Sequence, residues 1–363
     1  MTFTSKYLKF KSYSYGSNLD PLTIKEDSIA LEKQSDGTYN VPSNYILIKV
    51  HAVSLNPVDA KVYHLSLWPI ANFFSTGIGK DYSGRVIAIG KKARTNTELK
   101  VGDLVQGFYP HITPRGTLSE YILLNAFDKT YSQVTNIPSN LTLTDASSWP
   151  LVYGTAHQLI EGLKLKGKKI LVLGGATSVG RYLLQLLKYE GAREIIATCS
   201  PRSIDIVTTL GATSTIDYTK GPILSTILES VIATSTFDYV FDCVGSTELF
   251  SHIYHIFPEG GGHYGSIVGD ATVGTLNWKA LTVAYGVVSR TVFSTLGLLG
   301  YHYEVRLLNH HGDWIHKGKQ LIEEGKLRIF IDSYFKFNEL DKALKVLESE
   351  RAVGKVIVKV ESD

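Results

Sequence analysis

A glycine-rich turn held between a strand and a helix constrains this chain more than any other passage in it. Lys169-Ile170-Leu171-Val172-Leu173 has the length and apolar character of a buried strand, and Gly174-Gly175-Ala176-Thr177-Ser178-Val179-Gly180 follows it directly. From Ser178 to Tyr189 apolar residues recur at helical spacing, and Gly191 supplies the stop. Small residues let such a turn be tight and let the backbone approach a pyrophosphate. The helix behind it offers unpaired N–H groups and the positive end of its dipole to that anion. A lone glycine-rich match is weak, but one inside a complete strand-helix-strand unit points to a dinucleotide. The alternation continues. Glu194 to Cys199 reads as a second strand, Ile204 to Leu210 as a short helix stopped by Gly211, and Ser214 to Ile216 as a third strand. Phe237 to Cys243 and His263 to Val268 read as the fourth and fifth. This rhythm predicts a doubly wound parallel sheet with helices on both faces, an α/β Rossmann fold.

The choice of cofactor rests on the end of the second strand, about 20 residues beyond the turn, where an NAD site usually places an acid on the ribose. Here the text is Thr198-Cys199-Ser200-Pro201-Arg202-Ser203, with no acid before Asp205. Hydroxyls and Arg202 suit the 2′-phosphate of NADP(H), which favours charge-assisted donors. The plainer alternative makes Arg202 a solvated loop residue.

Upstream, Tyr45 to Val50, Ser83 to Gly90, Val101 to Gly107 and Leu118 to Leu124 read as short strands with glycines at the corners, which predicts a β-rich domain. Asp145 is expected to cap a helix running past Trp149 and Val152 towards His157. Near the C-terminus Asn338 is expected to cap a further helix, and the last strand, Gly354 to Val360, belongs in character with the N-terminal domain. A length of 363 residues suits two domains. The charge, 37 − 34 = +3, is spread without a basic block, which argues against a nucleic-acid partner. Cys199 and Cys243 lie in apolar runs as small buried residues and build no disulfide framework. The first residues lack the apolar core of a secretory signal. Although the first 19 contain no acid, they also lack arginine and run into a Tyr-rich stretch read as the first strand.

Several further blocks appear in a telling order: Asn56-Pro57-Val58-Asp59, Gly79-Lys80-Asp81-Tyr82-Ser83-Gly84, Gly102-Asp103, Gly116 to Tyr121, Thr155-Ala156, Phe241-Asp242-Cys243-Val244-Gly245 and Val353-Gly354-Lys355. Together with the glycine turn they resemble the zinc-free, quinone-oxidoreductase branch of the medium-chain dehydrogenase/reductase superfamily, over nearly the whole chain. The similarity extends in particular to a fungal subgroup, the Yim proteins of budding yeasts, associated with lipid droplets and mitochondria. The resemblance implies a GroES-like catalytic domain from residues 1–146 and 306–363, with a Rossmann domain, 147–305, inserted in it and NADP(H) in the cleft between them. It places Thr155 and Val244 near the nicotinamide, Gly174, Gly175, Ala176, Thr177, Ser178, Val179 and Gly180 at the pyrophosphate, and Ser200, Ser203 and Tyr218 around the 2′-phosphate. Relatives often carry lysine where Ser203 stands, and Arg202 beside it is the substitute. Zinc-dependent relatives carry a cysteine in the Asn56 block and a His-Glu pair at Lys80-Asp81. Those ligands are missing here, so a zinc-free site is expected.

Without a Lewis acid such a site suits a quinone or a conjugated enone or carbonyl, a small lipophilic substrate whose developing oxyanion Asn56, Lys61 or backbone amides would meet. Lys61 reads equally as a surface lysine, and Asn56 and Asp59 equally as braces for their loop. Tyr63, Tyr82 and Tyr153 are candidate proton donors, and His310-His311 read as exposed residues rather than ligands. The rival class is a non-enzymatic NADPH sensor or lipid-surface interaction protein, since fold alone does not establish turnover. The long, nearly uncharged run from Ala280 to Tyr303, broken by Arg290, is a poor membrane span. It reads either as a cleft-lining or subunit-contact loop before a sixth strand, which would suit a homodimer, or as an apolar flap touching a lipid surface. The expected location is cytoplasmic, with lipid-droplet or mitochondrial association left open.

Overall fold

The computed structural model describes residues 7–15, 23–33, 39–59, 76–109, 116–128, 133–269, 278–309, 311–349 and 351–360. Lys61, Tyr63 and His310 therefore lie outside the described residues. In chain order come β1 (Tyr7–Tyr15), β2 (Thr23–Ala30), β3 (Tyr45–Leu55), β4 (Asp81–Ile89), β5 (Leu104–Phe108), β6 (Tyr121–Asn125) and β7 (Val134–Asn136). Next are α1 (Pro150–Ile160), β8 (Lys169–Leu173), α2 (Ser178–Tyr189), β9 (Glu194–Cys199), α3 (Ile204–Leu210), β10 (Ser214–Asp217), α4 (Leu224–Ala233) and β11 (Tyr239–Asp242). The chain continues with β12 (His263–Ser266), α5 (Trp278–Thr295), β13 (His302–Val305), α6 (Trp314–Glu323), β14 (Ile331–Lys336), α7 (Leu340–Glu348) and β15 (Lys355–Lys359).

The chain divides into two compact units, Met1–Leu151 with Asn309–Asp363, and Val152–Leu308. The first break falls beyond residue 146 because Leu151 N–H still donates to the Asp81 carboxylate at 2.8 Å. In the first unit the main sheet runs β7-β5-β4-β3-β15-β14, and β6 also pairs with β3. β3 is long enough to serve two strands along one edge: Tyr45 to Lys49 pair with β6, and Ala52 to Leu55 pair with β15. Successive side chains of a strand point to opposite faces, and β3 buries both. Ile46, Ile48 and Val50 enter one core with Leu340 and Ala343 of α7, while Leu47 enters another with Ile29 and Leu31. The C-terminal strand has returned to the N-terminal sheet.

The second unit carries the parallel sheet β10-β9-β8-β11-β12-β13, which in order of appearance is 3-2-1-4-5-6. β8 is buried at every residue, which is why its text is an unbroken apolar run after Lys169. The Lys169 ammonium itself is buried, satisfied by Thr234 Oγ1 at 2.5 Å and Ser235 O at 2.9 Å.

Three local expectations are corrected. Thr142, not Asp145, caps a short helix Leu143–Ala146, and α1 begins separately at Pro150. Proline lacks an N–H and fits a first turn but not a helix interior, so the single expected helix divides there. Asn338 caps nothing: it sits in a 3₁₀ turn, Phe337–Glu339, whose Glu339 carboxylate accepts from Lys336 N–H, and α7 follows at Leu340. The apolar run read as a loop or flap is the helix α5, with β13 behind it as the sixth strand. Val287 is half-buried and reaches towards Gly269, whereas Tyr285, Val288, Val292 and Leu296 are exposed at helical spacing. Arg290 lies over the Phe250 ring at 3.9 Å and near that of Tyr303 at 5.2 Å. Among the described residues no helix is long and apolar enough to cross a membrane.

Candidate functional site

In the second unit, the turn between β8 and α2 is held by its own small residues. Gly174 has φ +81°, a backbone conformation that favours glycine, and an added Cβ there would stand 2.4 Å from Val244 Cγ1. At Gly175 a Cβ would meet that of Ala197 at 2.8 Å, and at Gly180 it would meet Gly174 O at 2.2 Å. All three glycines thus serve close approach of helix, turn and strand. Thr177 is the N-cap: its Oγ1 accepts from Gly180 N–H at 3.0 Å and donates to Gly174 O at 2.8 Å. The helix geometry leaves the N–H groups of Ser178 and Val179 without an intrahelical acceptor. β9 fixes the turn from the side, since Thr198 Oγ1 accepts from Gly174 N–H and Thr198 O from Gly175 N–H, at 2.8 and 2.9 Å. Buried Arg181 completes the brace by donating Nε–H to Ala176 O at 3.0 Å. Thr198 and Arg181 are bracing residues that the motif alone does not reveal.

The neighbouring loop follows β11, on the far side of β8 from β9. Asp242 ends β11 and its Oδ1 accepts from Val244 N–H at 2.9 Å and Gly245 N–H at 2.8 Å. Its other oxygen accepts from Tyr264 Oη at 3.0 Å. Burial pushes the Asp242 carboxyl up, and these donors oppose the rise. The strand order reverses between β9 and β11 about β8, so the Gly174 turn and the Val244 loop flank the switch point where open α/β sheets bind ligands. Val244 is exposed and touches Gly174, so two of the expected residues meet. Thr155 lies half-buried on α1.

At the carboxyl end of β9, Ser200 precedes a 3₁₀ turn, Pro201–Ser203. Arg202 and Tyr218 are exposed and Ser203 is buried, its N–H donating to Ser200 O. An acid does stand nearby, though not on β9. Asp217 ends β10 in register with Cys199. Its carboxylate accepts from Thr219 Oγ1 and N–H, which hold it below the usual carboxylate range, and Lys220 adds to the effect. A scan along one strand misses it because register, not sequence, brings it there. Both thiols are buried, and burial pushes each above the ordinary cysteine range, so they stay protonated.

In the first unit, Asn56 is fully committed to its own domain. Its Nδ2 donates to Asp81 Oδ2 at 2.9 Å, its Oδ1 accepts from Lys355 Nζ, and its N–H donates to Asp59 Oδ2 at 2.8 Å. Asp81 Oδ2 also accepts from Ser54 Oγ at 3.1 Å and pairs with Lys355 Nζ at 3.3 Å. Burial pushes the Asp81 carboxyl up and the Lys355 ammonium down, while their mutual attraction opposes both. Asp59 also takes Gly79 N–H at 3.2 Å, and burial raises its carboxyl to about 6. Of the two readings of Asn56, this geometry supplies the brace. Tyr82 and Tyr153 are both buried, and burial raises the Tyr153 phenol beyond the ordinary tyrosine range.

Comparison with known proteins bears on the same blocks. The family described as "Zinc-binding dehydrogenase" matches residues 210–358, and "Alcohol dehydrogenase GroES-like domain" matches residues 42–133. Protein YIM1 of Vanderwaltozyma polyspora is 30% identical, covering 96% of this chain and 98% of the relative. Protein YIM1 of Saccharomyces cerevisiae is 29% identical with the same coverage. Among solved structures, the quinone oxidoreductase from Coxiella burnetii superposes with a TM-score of 0.74 at 25% identity, covering 98% of this chain and all of that one. A mycobacterial protein solved in complex with NADPH shares the fold, with a TM-score of 0.70 at 19% identity over 97% of this chain and 100% of its own.

Proposed function

The chain belongs to the medium-chain dehydrogenase/reductase superfamily, and from that premise we propose that it is an NADPH-dependent reductase of quinones or conjugated enones and carbonyls that uses no catalytic metal ion. The observation that carries this reading is the capped glycine turn beside the Val244 loop at the switch point, where side chains larger than hydrogen would collide. The residues fit a dinucleotide. Gly174 to Gly180 would hold the pyrophosphate against the start of α2, and Ser200, Arg202, Ser203 and Tyr218 would hold the 2′-phosphate. When bound, NADPH would supply the hydride. Asp242 holds the Val244-Gly245 backbone in place on the nicotinamide side, so that a flat substrate meets a fixed surface. Asp81, Asn56 and Lys355 keep the first unit's strand ends in register without entering the chemistry.

Fluorescence titration with NADPH and NADH, followed by turnover on a panel of quinones and enones, tests the proposal. Tighter binding of NADPH and cofactor consumption that depends on the acceptor are expected. Equal or tighter NADH binding removes the cofactor assignment. Tight NADPH binding with no turnover across the panel favours a sensor instead.

A further inference from the structure

We propose that His263, His302 and Glu304 form a binding site for a late first-row divalent cation, with zinc as the probe, at the amino-terminal end of the parallel sheet. β12 and β13 pair in parallel with His263 opposite His302 and Gly265 opposite Glu304. Residues in register share a face, and residues two apart on a strand share a face, so all three side chains project on one side. The side chain missing at Gly265 leaves the carboxylate of Glu304 beside the imidazole of His263. One ligand atom from each residue falls within 4.8 Å of the others. His263 Nε2 is 2.9 Å from Glu304 Oε1, and His302 Nε2 is 3.9 Å from Oε2. Ligand atoms about 2.0–2.2 Å from a tetrahedral zinc stand roughly 3.3–3.6 Å apart, inside the 4.8 Å limit that these three atoms meet. Small side-chain rotations would seat the ion.

Two further features prepare the site. His263 Nε2 and Glu304 Oε1 are buried and face each other at ion-pair distance. His302 Nδ1 lies 3.5 Å from Ser294 Oγ of α5, which itself accepts Tyr303 N–H at 2.8 Å. A proton held on Nδ1 towards that hydroxyl leaves Nε2 as the lone-pair donor, the usual outer-sphere arrangement around a ligating histidine. Arg306 is the competing cation. Its Nε stands 2.8 Å from Glu304 Oε1 and its Nη1 donates to Gln158 O, which tethers it to α1. That contact leaves Oε2, on the His302 side, for the ion. The Gly174 turn follows the carboxyl end of β8, so the cation would sit at the opposite end of the sheet and fasten β13 to β12 without entering hydride transfer.

The test uses the full-length chain, dialysed against chelator and titrated calorimetrically with zinc chloride, with cobalt(II) absorption as a second readout. One equivalent should bind, raise the melting temperature and give a tetrahedral cobalt spectrum. Because His302 is exposed, His302→Gln should fold normally, lose at least tenfold in zinc affinity and bind NADPH as wild type does. His263→Gln should lose binding as well. No saturable binding at one equivalent overturns the proposal, as does wild-type affinity in His302→Gln, which would place the zinc on other histidines. Failure of the reductase reading would leave the zinc result untouched, since neither the calorimetric titration nor the cobalt spectrum involves the cofactor.

Discussion

At the scale of single residues, charge rather than size separates the two readings of the cofactor pocket. Arg202 is exposed beside Ser200, and Asp217 is turned onto Thr219 instead of reaching across to β9. Arg202→Glu is therefore expected to weaken NADPH binding by more than about 1 kcal/mol while leaving NADH nearly unchanged, as fluorescence titration would read it. Asp59 offers a pH test with a definite sign. Its folded pKa of about 6 lies above the ordinary 3.8, so the folded chain binds the proton more tightly than the unfolded one. Stability from this group is present below pH 4 and is lost as pH rises towards 6, by an amount on the order of 3 kcal/mol. In urea melts, wild type should outlast Asp59→Asn by a wider margin at pH 4.5 than at pH 7. A margin independent of pH would show that Asp59 is not protonated in the fold. The text around Asp59 does not show this state, because burial within the folded unit raises its carboxyl and the opposing Lys355 comes from the far end of the sequence.

Elements differ in how far local text determines them. The bounds of α2, β9 and α3 agree with their reading from sequence to the residue, because caps and stops lie within a few positions: Thr177 before α2, Gly191 after it, and Gly211 after α3. α5 is different. Gly286 and its β-branched residues are weak helix formers, and the helix is recovered through packing: Arg290 on Phe250 and Val287 against Gly269. Arg290→Ala should accordingly cost about 1–2 kcal/mol in denaturant unfolding, through the lost cation–π contact. Val288→Asp, on the exposed row, should change stability by less than about 0.5 kcal/mol. The lipid-surface contact, one of the two readings the sequence offers for this run, would draw on this same row. Wild-type protein should then float weakly with liposomes, and Val288→Asp with Leu296→Asp should stay behind with NADPH affinity intact. A wild type that never floats assigns the row another role.

For the molecule as a whole, the division is uneven in sequence. The second unit is one continuous stretch, Val152–Leu308, whereas the first is assembled from both ends of the chain. A fragment of residues 152–308 should fold alone, showing one cooperative thermal transition by circular dichroism and measurable NADPH binding. A sloping, non-cooperative melt would show that it depends on the remainder. The nascent chain faces the converse problem. β3 leaves the ribosome well before the strand that covers Ala52 to Leu55, since Asn56 and its partner Lys355 are 299 positions apart. At roughly 5–20 residues per second the wait is about 15–60 s, during which an apolar strand edge has no mate. Translation speed and chaperone occupancy, rather than the stability of the finished fold, then decide how much of the newly made chain escapes aggregation.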